Sequence, residues 1–121
     1  MLTRDEVVLQ LAQIAVLSQS YYAVTVLLSS MTEVKLFNQQ FKARLWEVPN
    51  WLKPTIRYDT QKMIELNNGK IFFWCNPSSG CGQSLTAAFK SVRMTEKQTF
   101  DYATSISPCL CGTREWIEFE G

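Results

Sequence analysis

Histidine is absent from this 121-residue sequence. Its side chain is the one whose unperturbed pKa lies closest to neutrality, and it is the commonest general base and metal ligand. Its absence excludes Ser-His-Asp and Cys-His catalysis. The acidic residues are scattered along the chain, and no pair has a spacing that predicts an acid-base site. We therefore expect a protein that is not an enzyme.

The sequence also has no excess of charge of either sign and no long hydrophobic run. Twelve basic and eleven acidic residues leave a formal net charge of +1, so no strong signal for nucleic acid or an anionic membrane is present. Gln or Ser interrupts each apolar stretch well short of a bilayer span. No signal-peptide pattern is visible. A cytoplasmic protein without a membrane partner is predicted.

Glycine and proline are few, with five and four residues respectively, whereas 46% of the chain is hydrophobic. This composition is typical of a chain that builds a core rather than of a disordered one. The length suits one domain, residues 1–121. The mixture of helical and strand patterns predicts an α/β or α+β fold.

Four cysteines, Cys75, Cys81, Cys109 and Cys111, have C-x5-C and C-x-C spacings. Zinc ribbons pair their ligands as C-x2-C, so the spacing is not that of a recognisable zinc site. In a cytoplasmic protein such thiols stay reduced. No metal or other cofactor is expected.

Two helices are predicted in the first 40 residues. Thr3 and Glu6 form a capping-box pattern, which starts a helix at residue 4. We expect it to reach about residue 12 and a strand to follow over 13–17, although the apolar spacing fits a longer helix as well. Ser20 is a plausible second cap, and a stripe of apolar residues then predicts a long amphipathic helix at about 20–37. The stripe comprises Val24, Leu27, Leu28, Met31 and Val34.

A β-hairpin is predicted at about 61–75. Asn68-Gly69 suits the two central positions of a type I′ turn, because both need positive φ. Counting back from that turn pairs Leu66 with Ile71, and Ile64 with Phe73, on one apolar face. Further along, 85–89 and 115–119 are predicted strands, the second at a sheet edge, and 95–106 is a weak helix pattern.

Residues 45–54 carry two tryptophans and two prolines, and proline disfavours helix in the residue before it. We predict an ordered apolar loop that packs on the domain. If the side chains are exposed instead, Trp46 and Trp51 would anchor a protein partner, because tryptophan is enriched at interface hot spots. Trp74, at the end of the hairpin, is a third candidate for partner binding.

Nucleotide-binding motifs are incomplete. Gly69-Lys70 is the only Gly-Lys pair, but Ile71 follows it and no Walker A motif is formed. The sequence "GCGQSL" at 80–85 lacks the third glycine of a dinucleotide fingerprint. Cys81 has no neighbouring base to activate it as a nucleophile.

Four blocks of sequence, "IAVLSQSYYAVTVLLSSMTEV", "VPNWLKP", "MIELNNGKIFFW" and "SSGCGQSLTAAF", together resemble the ATPase domain of the large terminase subunit of tailed phages. The resemblance covers about residues 13–107. It implies part of a terminase-like ATPase sheet and a phage protein linked to viral DNA packaging in the host cytoplasm.

The chain departs from that family at its catalytic positions. The family's Arg-Gly-x-Ser loop would fall on Cys81, Gly82, Gln83 and Ser84, with cysteine in place of arginine. Its Walker B Asp-Glu pair would fall on Lys90 and Ser91, which cannot hold magnesium. Walker A would precede residue 13.

The resemblance therefore predicts a degenerate, non-catalytic accessory or interaction module that has a vestigial loop and binds no ATP. Its expected protein partner is a terminase or portal component. The alternative is a small phage protein that binds and inhibits a host complex, such as a defence system.

Overall fold

The computed structural model describes residues 1–75, 87–105 and 117–121. Three helices and six strands lie in these ranges: α1 Arg4–Leu17, β1 Tyr22–Leu27, α2 Met31–Trp46, β2 Ile56–Asp59, β3 Met63–Leu66, β4 Gly69–Trp74, β5 Ala87–Ser91, α3 Glu96–Ser105 and β6 Ile117–Phe119. Among the described helices, none is both long and apolar enough to cross a membrane.

The strands form one mixed sheet in the order β2-β3-β4-β1-β5-β6. β1 is parallel to both of its neighbours, β4 and β5, and β5 is parallel to β6. The β2-β3-β4 part is antiparallel. The predicted α/β class is therefore confirmed, with a parallel centre and an antiparallel meander at one side.

Helix α1 begins where the sequence predicts, because Thr3 and Glu6 form the reciprocal capping box. The Thr3 hydroxyl accepts the Glu6 amide at 3.2 Å, and the Glu6 carboxylate accepts the Thr3 amide at 3.1 Å. The strand expected over 13–17 is wrong, since the helix continues to Leu17. Ala15 is buried in this last part of the helix. The helical spacing of the apolar residues, rather than the short apolar run at 14–17, therefore gives the correct secondary structure.

The helix predicted at 20–37 is also wrong in its first half. Residues 22–27 form β1, which is buried on both faces at the centre of the sheet. A strand buried on both faces needs a continuous apolar run, and such a run also satisfies helical spacing. Helix α2 begins later, at Met31, with Ser30 rather than Ser20 as its N-cap, and ends at Trp46.

The hairpin exists, but its register differs from the prediction. Ile64 is opposite Ile71 and Leu66 is opposite Gly69, so Asn67 and Asn68 form the turn. The predicted face is unchanged by this shift of two, and Ile64, Leu66, Ile71 and Phe73 are all buried.

Gly69 is therefore a strand residue whose role is steric. It pairs with Tyr22 in the parallel β1–β4 ladder, and an ideal Cβ built on it would lie 2.6 Å from three atoms of the Tyr22 ring. Only glycine leaves room for that ring without a shift. The Tyr22 hydroxyl donates to Asn68 Oδ1 at 3.2 Å, and Asn68 Nδ2 donates to the carbonyl of Ala15 at 2.8 Å. These bonds join the turn to both β1 and α1.

The core lies between one face of the sheet and the two long helices. α1 contributes Val7, Val8, Leu11 and Ala15, and α2 contributes Val34, Phe37, Phe41 and Leu45. The sheet contributes the alternate residues Val24 and Val26 of β1 together with the buried hairpin face and Phe89. Phe119 of β6 closes one end through an edge-to-face contact with Phe37, at a centroid distance of 5.4 Å.

The remaining predicted elements are found with altered bounds. Within the described part of the predicted 85–89 strand, β5 starts at Ala87 and extends to Ser91, and the weak helix pattern at 95–106 is α3. β6 is an edge strand, as expected. Leu2 bridges it through Phe119, and the Glu120 amide donates to the carbonyl of Leu2 at 2.8 Å.

Candidate functional site

The order of the sheet strands indicates where this fold could bind a ligand. From β1 the chain goes through α2 toward β4 on one side, whereas from β5 it goes through α3 toward β6 on the other. In open α/β sheets, ligands bind beyond the carboxyl ends of the strands where the order reverses. Here that crevice lies between the ends of β1 and β5, and we call it the switch-point crevice.

Gln98 of α3 reaches the β1 side of this crevice. Its Nε2 donates to the carbonyl of Ser29, after β1, at 3.0 Å and to the carbonyl of Cys75, after β4, at 3.3 Å. The side chain is held from the other end as well, because its Oε1 accepts the amide of Thr95 at 2.9 Å. The carbonyls at the ends of two central strands are thus satisfied by the protein itself.

Glu33 occupies the start of α2 beside the same crevice. Its Oε2 accepts the Ser29 amide at 3.3 Å, and its Oε1 lies 3.9 Å from Nη1 of Arg93, which follows β5. Only 12% of the Glu33 side chain is exposed. A helix N-terminus normally attracts an anion, and here the protein's own carboxylate fills that role.

The positions that the terminase resemblance assigns to the acid pair lie at the end of β5. Nζ of Lys90 is 3.9 Å from Oε1 of Glu118 on β6, and its side chain is 19% exposed. Ser91 is buried, and its Oγ accepts the amide of Arg93 at 3.1 Å. A paired cation and a hydroxyl engaged in a turn therefore occupy these two positions.

Several other predicted positions lie outside the described residues. They are the vestigial-loop residues Cys81, Gly82, Gln83 and Ser84, and also Cys109 and Cys111. Cys75 is described; it is a buried free thiol. In the described ranges, no three histidine, cysteine or acidic residues are grouped so that they could hold a metal.

The structure separates the three candidate tryptophans. Trp46 is 79% exposed and Trp51 is 82% exposed. Trp74 is half-buried and stacks on Phe72, with ring centroids 5.7 Å apart. Trp46 and Trp51 therefore belong to the surface, whereas Trp74 belongs to the sheet. The expectation that the 45–54 loop packs its tryptophans on the domain is wrong for both of these rings.

The segment that carries the exposed tryptophans has defined structure. The amides of Leu52 and Lys53 both donate to the carbonyl of Pro49, at 2.9 and 3.1 Å. Nζ of Lys53 lies 4.6 Å from the centroid of the Trp46 ring and 3.5 Å from the Trp46 carbonyl oxygen. Such a cation–π contact holds the exposed indole in place.

A cleft of about 300 Å³ lies beside Trp46, and we call it the Trp46 cleft. Its walls are Lys42, Leu45 and Trp46 of α2, Lys53 and Pro54 of the loop, and Ile56 and Asp59 of β2. Nζ of Lys42 is 2.7 Å from Oδ2 of Asp59, so this pair ties α2 to the edge of the sheet.

A second groove, of about 360 Å³, lies on the other side of the same loop. The exposed Leu9 and Leu17 and the partly buried Val16, all of α1, line it together with Val48 and Leu52. Leu17 is largely exposed. Arg44 and Glu47 stand at this groove as an exposed pair with a 3.6 Å separation.

Sequence reasoning identified Trp46 but not the cleft beside it. The cleft needs Ile56 and Asp59 of β2, and the sequence pattern predicts no strand at 56–59. The available signal was Ile56 and Tyr58 at strand spacing between Pro54 and the hairpin. The switch-point residues Glu33, Arg93 and Gln98 carry no sequence motif, and only the order of the strands brings them together.

Comparison with known proteins gives no assignment. No protein-family model matches the chain, and no curated protein is significantly similar to it.

Proposed function

We propose that this protein is a non-catalytic interaction module that binds a protein partner through the surface of Trp46 and Trp51. The observation that carries this proposal is the exposure of Trp46, at 79%, and of Trp51, at 82%, on a hydrogen-bonded segment. Tryptophan is the residue most enriched at binding hot spots, because one ring buries a large apolar area with little loss of conformational entropy. Two exposed rings five residues apart supply such an anchor.

The described part of the switch-point crevice supports the non-catalytic half of the proposal. Phosphoryl transfer needs carboxylates that hold magnesium and donors that neutralise the phosphates. Lys90 is instead paired with Glu118, and Glu33 occupies the start of α2. A bound triphosphate would have to displace the Glu33 carboxylate or be repelled by its negative charge at close range.

The terminase resemblance leads us to propose viral DNA packaging as the setting. The partner would then be a terminase or portal component in the cytoplasm of the infected cell. The protein would occupy a docking position on the motor without hydrolysing ATP.

A second candidate is a phage protein that binds and inhibits a host complex, such as a defence system. The edges of the sheet favour it. β6 is bridged by Leu2, and β2 is short, charged and interrupted by a bulge between Ile56 and Tyr58. Natural sheets protect their edges by such devices, and protected edges are expected of a fold that is self-sufficient outside a motor.

Affinity capture from infected cells tests the proposal. We would compare the tagged wild-type protein with a double variant, Trp46→Ser and Trp51→Ser, and with the matched surface variant Val92→Ser. Val92 is also exposed but lies at the far end of the sheet, after β5. Quantitative mass spectrometry should show a partner that is lost with the double variant and kept with Val92→Ser.

The identity of that partner separates the two candidates. Portal or terminase subunits would support packaging, and a stoichiometric host complex would support inhibition. Capture that is the same for all three proteins would contradict binding through the tryptophan surface. Magnesium-dependent ATP hydrolysis by the purified wild-type protein would contradict the non-catalytic assignment.

A further inference from the structure

We propose that the Trp46 cleft binds a peptide segment of the partner in which an apolar side chain stands next to a carboxylate. This inference rests on the proposed function and names the chemistry of the partner. It is carried by the apolar walls of the cleft and by one lysine whose charge is not balanced.

The walls of the cleft select an apolar side chain. Of the apolar side chains that line the cleft, Leu45 is buried, whereas Trp46 and Ile56 are exposed. A volume of about 300 Å³ is at the small end of the range for ligand pockets and is enough for one or two side chains. Burying an apolar group there would also cover the ring of Trp46.

The charges around the cleft select an acid. Two lysines and one aspartate line it. Lys42 is paired with Asp59 at 2.7 Å, whereas Lys53 has no acidic partner among the described residues. Its ammonium group has three donors, and the protein contacts at Nζ are the Trp46 carbonyl and ring. The nearby Arg44–Glu47 pair adds no net charge.

The edge of the sheet argues for contact through side chains rather than through strand pairing. β2 is the outermost strand, and all four of its residues are exposed. However, its bulge and its charged residues Arg57 and Asp59 are devices that discourage a continuous added strand. We therefore expect the segment to be recognised by its apolar side chain and its carboxylate.

A bead-displayed library of random twelve-residue peptides tests this inference with the purified 121-residue protein. Wild-type protein should enrich peptides that place Asp or Glu within two positions of a large apolar residue. Lys53→Glu should shift the preference from acidic to basic peptides. Lys35→Glu makes the same charge change near the other end of α2, at an exposed position outside the cleft, and should leave the acidic preference intact.

Affinities of the best enriched peptide provide a second measurement. Lys53→Met should weaken binding by about two- to fivefold, as expected for an exposed ion pair, and Trp46→Leu by about tenfold or more, as expected for a hot-spot ring. Wild-type binding should also weaken as ionic strength rises. Thermal melts of the variants check that each is folded, and the salt dependence needs no variant at all.

The inference is overturned if no acidic-apolar class is enriched, if Lys53→Glu leaves the selected class unchanged, or if wild-type affinity is insensitive to salt. The proposed function would survive these results if capture from infected cells still depended on Trp46 and Trp51. If that dependence were also absent, both proposals would be wrong.

Discussion

Replacing Gly69 with alanine places a methyl group against the ring of Tyr22. The new Cβ would lie 2.6 Å from three ring atoms, whereas carbon atoms in contact are normally about 3.5–4.0 Å apart. The ring would have to move by about 1 Å. It is buried and its hydroxyl is bonded to Asn68 at 3.2 Å, so the movement also weakens that hydrogen bond.

The expected cost follows from these two effects. Inserting a methyl group into a packed core costs about 1–3 kcal/mol, and a lost hydrogen bond costs about 0.5–1.5 kcal/mol. We therefore expect Gly69→Ala to lower the free energy of unfolding by about 2–4 kcal/mol, out of the roughly 5–15 kcal/mol that is typical of folded proteins. Urea denaturation, followed by far-ultraviolet circular dichroism, measures this difference.

A double-mutant cycle shows whether the ring is the cause. In a Tyr22→Leu background the ring is absent, so Gly69→Ala should cost about 1–3 kcal/mol less than in the wild type. If Gly69 instead had the positive φ of a type I′ turn, alanine would strain the backbone equally in both backgrounds. Equal costs in the two backgrounds, or no cost in the wild type, would refute the steric explanation and the observed register.

Three further substitutions probe other parts of the fold. Burial, and secondarily the nearby phenol of Tyr21, raise the pKa of Tyr22 well above its ordinary value. As the pH rises, the unfolded chain therefore loses the Tyr22 phenolic proton before the folded protein does. The contribution of this group to stability is full below about pH 10 and is lost as the pH rises above that value. Tyr22→Phe should make this loss smaller in urea denaturation at a series of pH values, and an unchanged pH dependence of stability would contradict the explanation. Asn38→Ala removes a buried side-chain amide that donates to two carbonyls in the turn between β2 and β3, at 2.9 and 3.3 Å. This variant should lower the free energy of unfolding by about 1–3 kcal/mol. The control Gln39→Ala, at an exposed neighbouring position, should lower it by less than about 0.5 kcal/mol. Gln98→Leu removes the two hydrogen bonds that join α3 to the segments after β1 and β4. Amide hydrogen exchange in α3 should become faster as a result. Unchanged exchange would show that these hydrogen bonds are dispensable.

The start of α1 was predictable because its cause is local. Thr3 and Glu6 are three residues apart and satisfy each other's backbone amides, so no distant part of the chain is needed. The buried face of the hairpin was predictable for a related reason. Side chains alternate between the two faces of a strand, so a register shift of two residues leaves the same side chains on each face. The four residues on the buried face are Ile64, Leu66, Ile71 and Phe73.

The secondary structure of residues 22–27 could not be predicted from local sequence. Val24 and Leu27 have helical spacing, but the whole segment is apolar enough for a strand covered on both faces. Pairing with β4 on one side and β5 on the other decides between these forms. Both partners are distant in sequence, so local preference cannot anticipate them.

The candidate sites divide along the same line. The absence of histidine, the near-neutral charge, the local cap of α1 and the two tryptophans at 46 and 51 can all be read directly from the residues. Three features became visible only in the folded chain: the two rings are exposed, Ile56 and Asp59 complete a cleft beside Trp46, and Glu33 and Gln98 both bond to Ser29. Capping and alternation act within a few residues, whereas exposure and pairing depend on which distant segments cover each side chain.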